Sequence, residues 1–74
     1  MDIPTRFRFI EFIPGLLEGS WNCQNRKTKN VLGTVDFFSE WKKFVFEAEG
    51  GCVFDEQCLA DIATFLSALN RKGK

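Results

Sequence analysis

A thiol or a carboxylate does chemistry only beside a group that activates it, and this chain offers few such neighbours. Its 74 residues include no histidine. The three cysteines, Cys23, Cys52 and Cys58, fit neither a CxxC pair nor a common zinc spacing. A reactive thiol needs a cation or an imidazole nearby, whereas the surroundings of Cys58 are acidic. The cysteines therefore read as small thiols buried in a reducing compartment, with a Cys52–Cys58 disulfide as the open alternative. Gly15, Gly19, Gly33, Gly50 and Gly51 form neither a phosphate loop nor a dinucleotide fingerprint. The expectation is a protein without catalytic residues, metal or cofactor.

Binding chemistry is better represented. Trp41 is flanked by Phe38 on one side and by Lys42 and Lys43 on the other, and Arg26, Lys27 and Lys29 crowd one short polar segment. An aromatic side chain framed by apolar neighbours and a polar rim is the composition of a protein-contact hot spot. The same aromatic beside lysines can stack on single-stranded bases, with phosphates held by the cations. A formal net charge of zero argues against the second use, because nucleic-acid-binding domains are usually clearly basic. The candidate contact residues are Phe38, Trp41, Lys43, Arg26, Lys27 and Lys29.

The elements that carry these residues must come from a small chain. A domain of this length buries only about 60 to 65% of its unfolded surface, so it needs a staple or unusually large core side chains. Nine Phe and two Trp supply bulk. Residues 1–74 read as one domain. No apolar run approaches the roughly 18 residues of a membrane span, and the acid and arginines near the N-terminus are unlike a signal peptide, so a soluble cytoplasmic protein is expected.

Period-two alternation over residues 5–13 predicts a strand, closed by Pro14 and Gly15 as the centre of a type II turn. At an edge, its Arg6 and Arg8 would discourage aggregation, or its free backbone would pair with a partner strand or with a second copy of the chain as a homodimer. Residues 20–26 and 31–38 read as a hairpin around residues 27–30, pairing Trp21 with Val35 and Cys23 with Gly33. Residues 41–48 follow as a further strand.

A two-residue turn at Ser39 and Glu40 would set Phe38 across from Trp41, Phe37 from Lys42, Val35 from Phe44 and Gly33 from Phe46. That arrangement puts Trp21, Cys23, Val31, Val35, Phe37, Phe44 and Phe46 on one face. Leu32, Phe38, Trp41 and Val45 then point outward among polar residues such as Lys43. Gly33 leaves a gap that Trp21 or Phe46 can fill. Asp55 caps a helix over residues 56–70, with Cys58, Leu59, Ile62, Ala63, Leu66 and Leu69 on its apolar stripe, Phe65 beside them, and Asn70 to Gly73 as its end. The fold class is α+β: a three- or four-stranded antiparallel sheet, a β-meander, with one C-terminal helix packed on one face.

The set Trp21, Asn25, Arg26, Leu32, Gly33, Trp41, Phe46, Phe54, Cys58, Leu59, Asp61, Ile62 and Phe65 resembles a group of short uncharacterised proteins of bacterial chromosomes, prophages and phages. Their pattern runs W...RN, then LG.I.WY..W...F, then F...CL.DI..F, and the likeness covers about residues 20–70. Phe37 and Phe38 stand where that group usually has Trp and Tyr, and Glu40 where a basic residue is common. The resemblance implies a mobile-element context and no established mechanism. By analogy, short proteins of such elements act by binding host or defence proteins, the CRISPR machinery among them. The function expected is therefore a protein-binding module that inhibits or modulates a bacterial protein partner. The alternative is a small nucleic-acid-binding regulator that uses the basic turn with Trp41 and the lysines.

Overall fold

A computed structural model describes residues 3–72, with nothing said of the Lys72 side chain. Four strands, β1 (Ile10–Pro14), β2 (Trp21–Asn25), β3 (Val31–Phe38) and β4 (Lys43–Ala48), precede one helix, α1 (Glu56–Lys72). The strands pair in chain order as an antiparallel meander, and α1 returns across one face, in contact chiefly with β4. The expected α+β architecture is thus observed, with four strands. α1 runs two residues past its expected end at Asn70, and the glycine expected to close it lies outside the described residues.

Burial explains the arrangement. Ile10, Phe12, Cys23, Val35, Ile62, Phe65 and Leu69 form the core, and Phe65 is its centre. Its ring stacks on Phe12 at 3.9 Å between centroids and meets Trp21 edge-on at 5.2 Å. Large rings supply through area what a small chain lacks in residue number. The stripe that α1 buries is rotated from the expected one: Phe65 and Asp61 lie inside, whereas Leu59 and Ala63 face outward. Asp55 caps the helix as expected, its Oδ1 accepting from the Cys58 amide at 2.8 Å.

The β2–β3 pairing follows expectation, Trp21 with Val35 and Cys23 with Gly33. Beyond Cys23 the register shifts, so that Gln24 meets Val31 and Leu32 is left over as a bulge. One extra residue inverts the faces. Val31, expected in the core, is exposed, and Leu32, expected outside, packs on the core.

The expected two-residue turn is replaced by a longer loop, residues 39–42, in which the Trp41 amide donates to the Phe38 carbonyl at 3.2 Å and Lys42 adopts φ 54°. Serine and glutamate do not suit a primed turn, and the chain uses a type-I-like turn closed by a left-handed residue instead. Register slides by two residues: Val35 pairs with Phe46, Phe37 with Phe44, Phe38 with Lys43 and Gly33 with Ala48. Because the side-chain period is two, Val35, Phe44 and Phe46 keep their expected face.

The N-terminal strand is shorter than residues 5–13. The chain bends after Phe7, and Arg6 folds back to bridge Glu11, with the Phe12 amide donating to the Thr5 carbonyl at 2.7 Å. At that one point the outer edge of β1 is occupied by the preceding segment of the same chain. The reversal after β1 also comes later than Pro14 and Gly15. It lies at residues 17–20, where the Ser20 amide donates to the Leu17 carbonyl and Gly19 takes φ 85°.

Candidate protein-contact surface at the β3–β4 tip

In a meander, alternate loops collect at opposite ends. The β1–β2 loop and the β3–β4 loop share one end with the last turn of α1, and the β2–β3 loop shares the other with the start of α1. The eight residues of β3 separate the ends by about 23 Å. Phe38, Trp41 and Lys43 therefore stand at one end, and Arg26, Lys27 and Lys29 at the other. The six candidate residues do not form a single surface.

At the second end the cations are largely engaged within the fold. Lys29 Nζ lies 2.8 Å from Glu11 Oε2, which also accepts from Gln24 Nε2 at 2.6 Å, and Arg6 approaches the other oxygen at 3.8 Å. The Lys29 and Gln24 hydrogen bonds hold the Glu11 carboxyl below its usual pKa. Arg26 Nη1 donates to the Phe7 carbonyl at 2.8 Å and its amide to the Phe9 carbonyl at 3.0 Å, fastening the folded-back N-terminal segment. Asn25 Oδ1 accepts from the amides of Lys27 and Thr28, which shapes the loop. Of the three basic residues, Lys27 alone presents a head group with no partner among the described residues. A sequence signal for the others was available in the buried acid on β1, had the fold-back been foreseen.

The tip is built differently. Phe38 and Trp41 meet edge-on at 5.0 Å between centroids, brought together by the loop and not by the cross-strand pairing expected. Trp41 is 67% exposed and Phe38 36%. Together with Asp36, Val45 and Glu47 they line a shallow hollow of about 350 Å³ on the face away from α1. Phe37, expected beneath the helix, is 56% exposed instead and meets Phe44 edge-on at 5.4 Å. Leu16 and Leu17 of the β1–β2 loop are also exposed, and Leu17 shares a hollow with Phe37 and Phe44. Sequence pattern missed these two leucines because the connector was read only as a connector.

α1 reaches the same end through Asn70. Its Oδ1 accepts from the Phe44 amide at 2.7 Å and its Nδ2 faces the Phe44 carbonyl at 3.4 Å, so the outer edge of β4 is satisfied there by a side chain. Among the described residues, no three His, Cys, Asp or Glu side chains converge, and no buried side-chain polar atom lacks a partner. The thiols are free. Cys23 is fully enclosed, and burial, with the Cys58 thiol adding a smaller effect, pushes its pKa up to about 12. Burial and the Asp55 carboxylate raise that of Cys58. Cys52 and Cys58 are only partly buried, less than expected. No described helix is long and apolar enough to cross a membrane. Compared with known proteins, the chain matches no family model, no curated sequence and no solved structure.

Proposed function

We propose that this chain is a non-enzymatic protein-binding module and that the β3–β4 tip, centred on Phe38 and Trp41, is its contact surface. One observation carries the reading. Trp41, two-thirds exposed, is held edge-on to Phe38 by a loop that gives the core nothing in return. Interface hot spots are enriched in such rigid, water-exposed aromatics, which release large area on contact at little cost in side-chain entropy. Leu16, Leu17 and Phe37 enlarge the apolar surface at the same end. The resemblance to short bacterial and phage-encoded proteins supports a bacterial protein as the partner, inhibited or modulated by being bound, in the cytoplasm.

A nucleic-acid regulator finds less support. It draws on Arg26, Lys27, Lys29, Lys42 and Lys43, which stand at two ends of the sheet, with the Arg26 and Lys29 head groups already engaged. Immobilised wild-type chain, compared with the Phe38→Ser, Trp41→Ser double variant in a bacterial lysate, tests the proposal by mass spectrometry. The expected result is a protein retained by wild type and lost by the variant, with the far-ultraviolet circular dichroism unchanged. Equal retention by both would dispose of the tip as the contact surface, and unfolding of the variant would assign the pair to the core.

A further inference from the structure

On the side of the tip that faces α1 lies a cleft of about 390 Å³ lined by Phe37 and Phe44, by Ser67 and Asn70 of α1, and by Lys42, Lys43 and Arg71. Three of those seven residues are cations, and none is an acid. No carboxylate of the described residues comes within ion-pair distance of Lys42, Lys43 or Arg71, although the whole chain is neutral. Lys29 and Arg6, by contrast, converge on Glu11, although Arg8, Arg26 and Lys27 are likewise without a carboxylate partner among the described residues. Like charges gathered at one spot repel one another and focus a positive potential, which a bound anion relieves. The exposed Phe37 ring, set edge-on to Phe44, gives the cleft an apolar floor beside the cations.

We propose that this cleft seats a carboxylate-rich peptide segment, and that the partner presents it beside the apolar side chain that covers Phe38 and Trp41. The inference rests on the reading of the tip as a protein-contact surface, since Phe37 belongs to the hollows on both sides of it. A peptide fits better than a nucleic-acid strand, because Asp36 and Glu47 in the adjoining hollow oppose a continuous polyanion, whereas a few carboxylates followed by an apolar residue avoid them.

The probe is a blocked glutamate–phenylalanine hexapeptide, followed by amide chemical shifts of the labelled protein, with its lysine-for-glutamate counterpart and an oligothymidylate in parallel. Expected are shifts at Lys42, Lys43, Ser67 and Arg71, weakened about tenfold in the Lys43→Gln, Arg71→Gln variant and severalfold between about 50 and 300 mM salt. Equal shifts with the lysine peptide, none at these residues with the glutamate peptide, or tighter binding of the oligothymidylate would each overturn the inference. The lysate experiment separates the two proposals. A partner lost by the Phe38→Ser, Trp41→Ser variant but kept by Lys43→Gln, Arg71→Gln removes the acidic segment and leaves the contact surface standing.

Discussion

Gly33 shows how much one residue can settle. It faces Ala48 across β3 and β4, and a Cβ built there would lie inside the contact distance of the Phe46 ring and 2.6 Å from the Glu47 carbonyl oxygen. Backbone φ is ordinary at this position, so space is the constraint and not conformation. Phe46 leans into the gap and meets Phe54 edge-on at 5.7 Å, which ties the strand to the segment leading into α1. Gly33→Ala should therefore destabilise by about 2 kcal/mol, as overpacked sites do. Urea denaturation would read this as a lowered midpoint at unchanged slope, and a midpoint equal to wild type would show that the ring and the β4 backbone at Glu47 both give way freely.

At the scale of elements, periodicity carried the most information where one residue meets one residue. Trp21 opposite Val35 was legible because alternation leaves a single pairing that keeps Cys23 and Val35 inside together. Errors arose where local geometry breaks the period. Leu32 is a bulge, and a bulge leaves no mark in the hydrophobic pattern beyond the ambiguity of Val31 and Leu32 themselves. The β1 region alternates well but folds back at Phe7, because Arg26 and Lys29, distant in sequence, bind its carbonyl and its acid. Half of the candidate site was legible in Trp41 and Phe38. The division of the basic residues between two ends was legible too, since in the expected meander the turns before and after residues 31–38 close opposite ends of that strand.

Asn70 illustrates a contact that no pattern announces. It joins the last turns of α1 to the edge of β4 through the Phe44 backbone, and it also fixes the helix beside the cationic cleft. Asn70→Ala should leave the Phe44 amide without its partner, costing about 1 to 2 kcal/mol. Amide exchange at Phe44 should accelerate accordingly while exchange in β2 follows global stability. Unchanged exchange at Phe44 would mean that water replaces the side chain without loss.

Taken as a whole molecule, the fold separates its ionisable groups by environment, and its pH dependence follows. Glu11 is held low in pKa by hydrogen bonds from Lys29 and Gln24, and Asp55 by the Cys58 amide at the helix start. Each ionises more readily folded than unfolded, so its contribution is complete above the ordinary carboxylate range near about 4 and is lost as pH falls through and below that range. Cys23 behaves in the opposite sense. Its folded pKa of about 12 exceeds that of the unfolded thiol, so enclosure favours the fold fully below about 8.5, and this contribution disappears as pH rises toward 12. Urea midpoints measured across pH should show a plateau from about 5 to 8 with a fall on each side. Glu11→Gln should flatten part of the acid fall, leaving the share of Asp55, and Cys23→Ala should flatten part of the alkaline one, leaving the share of Cys58. An acid fall of the same size in Glu11→Gln would show that Lys29, Gln24 and Arg6 hold the carboxyl no better than water does, and that the N-terminal fold-back is fastened by Arg26 and by its backbone hydrogen bonds to β1.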